Sequence, residues 1–157
     1  MLSLIAAISE NNCIGKDNAL LWDIPEDMKH FKNVTFGHIV LMGRNTWESI
    51  PEKFRPLPNR KNIVITRDMN YEVPEGVEIY SSIDEALERY KNENVFIIGG
   101  SSIYKQTIEK AEQLFITEVH KVVDGDVFFP EIDKNLFKEI EREKHEGFDF
   151  VLYIRSL

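Results

Sequence analysis

Short runs of apolar residues recur along the chain and predict the strands of a buried sheet. The five runs occupy residues 3–8, 39–42, 63–65, 95–98 and 114–119. Those at 39–42 and 63–65 do not alternate with polar positions, which indicates strands covered on both faces. Residues 136–157 hold two further β-like stretches that turn near Gly147, as in a terminal antiparallel hairpin.

Helical patterns separate the apolar runs. Residues 25–36 predict a helix with Pro25 in its first turn, and Ser82 with Glu85 forms a capping box ahead of a second helical face. A third helix is predicted over residues 102–111. Strand–helix–strand units imply right-handed parallel crossovers. We therefore expect one α/β domain over residues 1–157, with a predominantly parallel central sheet of about eight strands, flanking helices and a C-terminal antiparallel hairpin on one edge.

Composition and charge narrow the classes of partner. Hydrophobic residues make up 43% of the chain and charged residues 29%, which is ordinary globular composition. The net charge of −8 weighs against nucleic acid, which needs basic residues to neutralise phosphates. The single cysteine, Cys13, excludes an internal disulfide, and no apolar run approaches the ~20 residues that span a bilayer. Without a basic leader segment, a cytoplasmic protein with no membrane partner is expected.

Asp27 is the first candidate for chemistry. On the helix predicted over 25–36 it lies at the border of an apolar stripe, where partial burial favours the protonated carboxyl group and raises its pKa. The predicted inward stripe consists of Ile24, Met28, Phe31 and Thr35. An acidic residue that merely favours the helix N-terminus is the alternative. A carboxylate in a site would suit a ligand that offers paired N–H donors.

Two strand-to-helix junctions are the second signal. Gly43 follows one buried run and Gly99-Gly100 follows another, so the backbone can approach a ligand closely at both, although a tight turn would also use glycine. Arg44 and Arg67 follow two of the runs, and the pair of junctions with two arginines suggests a polyphosphate or a dinucleotide.

Other common catalytic patterns are missing from the sequence. It contains no Gly-x-Gly-x-x-Gly after a strand, no Walker-type loop and no Gly-x-Ser-x-Gly elbow. The four histidines show no metal-ligand spacing. The basic turn at Arg60 could bind a carboxylate through its guanidinium, or could simply be solvated.

Taken in order, the segments that carry these residues resemble dihydrofolate reductase. They are Leu4-Ile5-Ala6-Ala7, Ile14-Gly15, Trp22 through Asp27 with Phe31, Met42 through Ile50, Leu57 through Asn62, Ile97 through Gly100, Ile103-Tyr104, Thr117, Gly125-Asp126 and Phe129-Pro130. The resemblance covers essentially the whole chain. It implies NADPH-dependent reduction of 7,8-dihydrofolate to tetrahydrofolate, a reaction that needs neither a nucleophile nor a metal ion. A monomer is expected by default, since the sequence shows no interface.

The resemblance also implies a role for each matching residue. Asp27 would bind the pteridine 2-amino group and N3 and promote protonation of N5, assisted by Trp22 and Thr117. Arg60 would bind the glutamate α-carboxylate of the substrate. The residues implied to line the substrate slot are Ile5, Phe31, Ile50, Leu57 and Ile98. Those implied to hold NADPH are Ala7, Ile14, Gly15, Gly43, Arg44, Asn45, Thr46, Thr66, Arg67, Gly99, Gly100, Ser101, Ser102, Ile103 and Tyr104.

In this family the Gly99-Gly100 peptide is expected to be cis, and residues 10–22 resemble a mobile loop that closes over nicotinamide. Three features depart from the family pattern. Leu21 replaces the usual proline, Asn59 stands where glycine is common, and residues 51–55 carry an insertion.

Two other functions stay open: a reductase of the riboflavin pathway that acts on a ribosylaminopyrimidine, and a nucleotide-binding regulatory module without turnover.

Overall fold

An eight-stranded sheet forms the centre of the molecule in a computed structural model that describes residues 1–15 and 24–156. Its strands are β1 (Leu2–Ser9), β3 (Ile39–Gly43), β4 (Lys61–Ile65), β5 (Glu78–Tyr80), β6 (Val95–Gly99), β7 (Gln113–Val119), β9 (Phe137–Lys144) and β10 (Phe148–Arg155). The spatial order is β5-β4-β3-β6-β1-β7-β10-β9, and neighbours are parallel except where β10 pairs with β7 and β9. The predicted α/β class, the parallel sheet and the antiparallel hairpin on one edge are confirmed.

Helices connect the parallel strands. They are α1 (Pro25–Thr35), α2 (Arg44–Ser49), α3 (Ile83–Arg89) and α4 (Ser101–Thr107), with 3₁₀ turns at Glu52–Phe54 and Ile108–Lys110. The helix predicted over 102–111 is therefore α4 followed by a tighter turn. The predicted cap of α3 is confirmed, because the Glu85 backbone N–H donates to Ser82 Oγ at 3.2 Å.

Three short strands were not predicted from the sequence. β2 (Cys13–Gly15) and β8 (Val127–Phe128) form a separate antiparallel pair, and β5 closes the other edge of the main sheet. Strands of two or three residues are too short to show a hydrophobic period.

The sheet has a buried core on each face. One core contains Leu4, Leu41, Ile97 and Ile116, with residues of α3 and α4 packed against it. The opposite core contains Ile5, Val40, Met42, Trp47, Val64 and Phe96, and α1 covers part of it through Phe31 and Val34. This second core is the floor of the candidate site.

One predicted core position on α1 is wrong. Met28 is 62% exposed, although the apolar pattern placed it in the inward stripe. Phe31 and Val34 instead contact the sheet, and Asp27 lies on the same side of the helix because it is four residues before Phe31. The helix is therefore rotated so that Asp27 faces the sheet and Met28 faces solvent.

Candidate functional site

Most of the residues implied to hold the cofactor lie at the carboxyl ends of the parallel strands. Met42 of β3 is level with Gly99 of β6, and Ala7 of β1 is level with Thr117 of β7. β4 lies next to β3 and ends at Ile65, immediately before Thr66 and Arg67. Ligands of parallel α/β sheets bind beyond this edge.

Asp27 and Thr117 form the polar end of the site. Thr117 Oγ1 donates a hydrogen bond to Asp27 Oδ1 across a distance of 2.6 Å, although the residues are 90 positions apart in the chain. Burial raises the pKa of Asp27, while the hydrogen bond from Thr117 and the nearby His30 act in the opposite direction. The result is a carboxyl group that takes up a proton more readily than an ordinary aspartate, as the sequence predicted.

The residues implied to line the substrate slot form an apolar surface on the side of the sheet that α1 covers. All five apolar residues implied to bind substrate belong to the core on the α1 side of the sheet: Ile5, Phe31, Ile50, Leu57 and Ile98. Ile5 is buried, and the other four are half-buried beside it. Such a surface suits the flat faces of aromatic rings.

Arg60 lies at the other end of the slot. Its Nη1 donates to Thr35 Oγ1 at 3.1 Å, its Nε donates to the Pro58 carbonyl at 2.9 Å, and its guanidinium lies 5.9 Å from the centre of the Phe31 ring. Partial burial lowers its pKa, but a guanidinium stays charged in proteins. Thr35 is eight residues beyond Asp27 on α1, so the acid and the cation are about 12 Å apart along the helix axis.

The two glycine junctions lie side by side. A Cβ atom added to Gly99 would be 3.0 Å from Thr46 Oγ1, and one added to Gly100 would be 3.3 Å from the same oxygen. A Cβ atom on Gly43 would be 3.3 Å from Ile103 Cγ1. The Gly99-Gly100 peptide is cis, as expected, and the Arg55-Pro56 peptide is also cis. The ends of two strands, β3 and β6, thus form a glycine cradle in which Thr46 and Ile103 leave little room for a side chain.

Tyr104 ties this cradle to the slot. Its phenol donates to the Ile5 carbonyl at 2.6 Å, and the side chain is 4% exposed. Burial, followed by the charge of Asp27, raises the pKa of Tyr104. The phenol therefore stays protonated and fixes the backbone of β1 beside Asp27.

Arg44 and Arg67 follow adjacent strands, as predicted. Arg44 makes ion pairs with Glu48 at 3.2 Å and with Asp68 at 3.9 Å, and its guanidinium lies 4.2 Å from the centre of the Tyr71 ring. Arg67 is exposed, and the preceding Thr66 is buried. Both arginines are accessible to an anion at this end of the cradle.

The remaining residues implied to hold the cofactor occupy the same edge or its flank. Asn45 is in the first turn of α2, Ser101 and Ser102 begin α4, and Ile14 and Gly15 belong to β2. Trp22 lies outside the described residues, as does most of the segment predicted to be a mobile loop.

Two neighbours of the site gave no clear signal in the sequence. Tyr71 lies in a long connection between β4 and β5, 27 positions after Arg44, and only the fold brings them together. His30 follows Asp27 by three residues, which places both on one side of α1. That spacing can be read from the sequence, but the sequence does not show that the His30 ring stacks on Phe150 of β10.

Within residues 1–15 and 24–156, no group of three or more histidine, cysteine or acidic side chains could hold a metal ion. Over the same ranges, no helix has the length and apolarity required to cross a bilayer.

Fold and site together define an α/β protein with two ligand regions on a mostly parallel sheet, one along the α1 side and one at the carboxyl ends of the strands. One ligand region has an acid and a guanidinium at its two ends, and the other is a glycine cradle flanked by arginines. Comparisons with known proteins identify the family within this class.

The family model described as dihydrofolate reductase matches residues 1–155. The chain is 47% identical to dihydrofolate reductase of Neisseria meningitidis serogroup A over 161 aligned positions, covering 98% of each protein. It is 41% identical to the Bacillus subtilis enzyme of the same name, covering 92% of this chain and 84% of that one. The chain belongs to the dihydrofolate reductase family.

A solved structure supports the assignment. Dihydrofolate reductase from Enterococcus faecalis, complexed with NADP(H) and the compound RAB-propyl, superposes with a TM-score of 0.89. It is 34% identical in sequence, and the match covers 100% of this chain and 97% of that one. The resemblance inferred from the sequence motifs is thereby confirmed.

Proposed function

We propose that the protein reduces 7,8-dihydrofolate to 5,6,7,8-tetrahydrofolate with NADPH. The observation that carries the proposal is Asp27, a partly buried carboxyl group that accepts a hydrogen bond from Thr117 on the side of the sheet that holds the apolar slot residues. Family membership and the NADP(H) complex of the Enterococcus faecalis protein support the same reaction.

The spacing of Asp27 and Arg60 favours a folate. Asp27 offers acceptors for the 2-amino group and N3 of a pterin, while the apolar residues contact the pterin and benzoyl rings. Arg60, about 12 Å away along α1, can bind the α-carboxylate of the glutamate tail. Its contacts with Thr35 and Pro58 hold the guanidinium in place before a ligand arrives.

The glycine cradle fits a dinucleotide. Side chains at Gly43, Gly99 or Gly100 would occupy the space beside Thr46 and Ile103. Arg44 and Arg67 follow adjacent strands at the same edge of the sheet. Their guanidinium groups can bind the 2′-phosphate that NADPH carries and NADH lacks, so they favour NADPH. When bound, NADPH supplies the hydride that reduces pterin C6.

Asp27 promotes the protonation that accompanies this hydride transfer. The reaction adds a hydride to C6 and a proton to N5, so the two additions together reduce one C=N bond. Partial burial lets Asp27 hold a proton above the usual pH range of an aspartate. Thr117 fixes the orientation of the carboxyl group, and Tyr104 fixes the β1 backbone next to it. We propose that this arrangement promotes protonation of N5.

The domain organisation, oligomeric state and location of the protein are also proposed. We propose a single domain over residues 1–157 that acts as a monomer in the cytoplasm. Light scattering of the purified protein in solution should give the mass of one 18.3 kDa chain.

Steady-state oxidation of NADPH tests the function. Dihydrofolate should accelerate loss of the NADPH absorbance band, whereas a ribosylaminopyrimidine should not, and NADH should be a poorer donor. Turnover only with the pyrimidine would identify the riboflavin-pathway alternative. NADPH binding without oxidation in the presence of dihydrofolate would instead indicate a regulatory module.

A further inference from the structure

His30 lies between the proposed acid and an aromatic strand. It is three residues beyond Asp27 on α1, and its ring stacks on Phe150 with a centroid distance of 4.0 Å and an interplanar angle of 14°. Phe150 of β10 pairs with Thr117 of β7, the residue that donates to Asp27. The imidazole is therefore fixed on the flank of the Asp27–Thr117 hydrogen bond.

The groups that face His30 come from three elements. Asp27 lies on the same helix, Glu143 on β9, and His145 in the turn between β9 and β10. His145 Nε2 is 3.0 Å from Glu143 Oε2, and its ring contacts Phe150 edge-on at 5.0 Å. Glu143 is thus paired with His145, whereas Asp27 shares a turn of α1 with His30 and acts on it more strongly than Glu143 does.

We propose that His30 is a positioning residue for the proposed reaction: its imidazole, held flat against Phe150, gains a positive charge as the pH falls and stabilises the Asp27 carboxylate. This inference rests on the proposed function and deepens it, because it names the group that sets the proton occupancy of the acid. His30 does not itself touch the reacting atoms.

The electrostatics agree with the geometry. Burial lowers the pKa of His30, Asp27 and then Glu143 act against that change, and His145 adds to it. Burial raises the pKa of Asp27, and His30 acts against that change in turn. The two groups therefore compete for one proton, and their titrations are coupled.

The pKa values of Asp27 and His30 depend on each other, so the proposal can be tested without measuring turnover. His30→Phe keeps an aromatic ring against Phe150 but cannot be charged, so the pKa of Asp27 should rise. Asp27→Asn removes the carboxylate, so the pKa of His30 should fall by the same amount, because a coupling free energy is reciprocal. Carboxyl and imidazole NMR titrations of the full chain measure both shifts. The midpoint of the pH profile for dihydrofolate reduction should move upward in His30→Phe.

His145→Phe is the matched control, since it removes the other imidazole that contacts Phe150. It should leave the Asp27 titration nearly unchanged, because the side chains that act on Asp27 are Thr117 and His30. The proposal is overturned if the His30 and Asp27 shifts are absent or unequal, or if His145→Phe moves Asp27 as far as His30→Phe does. A protein that shows the reciprocal shifts but does not reduce dihydrofolate would refute the proposed function and leave the coupling intact.

Discussion

Asp27 shows how the environment of one residue sets its chemistry. The pattern of α1 predicted a carboxyl group at the edge of an apolar surface, and the structure confirms its partial burial. The same pattern misplaced Met28, because a helical period gives the width of an apolar stripe but not its rotation against the sheet. Only the fold brings Thr117 to Asp27.

Thr117→Val removes the hydrogen bond that stabilises the Asp27 carboxylate. The pKa of Asp27 should rise, because burial then acts with less opposition. The pH dependence of hydride transfer in a single turnover should shift to higher pH. Thr107→Val is the control: Thr107 is equally buried, but its hydroxyl donates to Ile103 within α4. An unchanged profile in Thr117→Val would contradict the role of this hydrogen bond.

Arg60→Gln tests the other end of the slot. Loss of charge-assisted hydrogen bonds costs roughly 1.5–3 kcal/mol, so KM for dihydrofolate should increase about 10- to 100-fold with little change in kcat. A dihydropterin that lacks the glutamate tail provides the control, since the variant and the parent should use it equally well. A similar loss with both substrates would show that Arg60 does not bind the tail.

At the scale of elements, apolar runs located the central strands because those strands are covered on both faces. β3, β4, β6 and β7 all lie within a residue or two of their predicted positions. β5, β2 and β8 escaped prediction, since pairing with neighbours rather than local sequence defines such short strands. The junction after β6 depends on both kinds of information: the sequence shows two glycines, and the fold shows what lies beside them.

Gly99→Ala tests that junction, with Gly76→Ala as its matched control. Both glycines have positive φ angles, +137° and +90°, so alanine at either position adds backbone strain of about 1–3 kcal/mol. Only at Gly99 does the new Cβ atom meet a neighbour, Thr46 Oγ1 at 3.0 Å. Urea unfolding should show a larger loss of stability for Gly99→Ala, and only that variant should bind NADPH more weakly. Equal affinities for NADPH would contradict the cradle.

At the scale of the whole molecule, the acidic excess lies outside the segment that contains the three arginines of the site. Residues 1–67 carry nine basic and seven acidic side chains, so the acidic excess lies in the rest of the chain. Arg44, Arg60 and Arg67 therefore give the site a local positive potential within an acidic protein, which suits two anionic ligands.

Asp27 also links the site to the stability of the fold. Because its pKa is raised in the folded state, the folded protein binds more protons than the unfolded chain between the two pKa values. The contribution of Asp27 to stability is present at acidic pH and is lost as the pH rises through the folded-state value. Asp27→Asn should therefore increase the free energy of unfolding at neutral pH, and the gain should disappear on acidification.

Glu26→Gln supplies the contrast, since it removes the same charge from an exposed position in the same turn. It should lower stability by about 0.3–1 kcal/mol through the helix dipole. Urea unfolding of both variants at neutral and acidic pH measures the difference. Destabilisation by Asp27→Asn at neutral pH would show that burial does not dominate at this position.

Single-turnover hydride transfer from NADPH to dihydrofolate tests the central claim most directly. In Asp27→Asn at neutral pH the rate should fall about 10²- to 10⁴-fold, the usual contribution of a positioned acid. Affinity for NADPH should be unchanged. Hydride transfer at the parent rate in Asp27→Asn would contradict the assignment of Asp27 as the group that promotes protonation of N5.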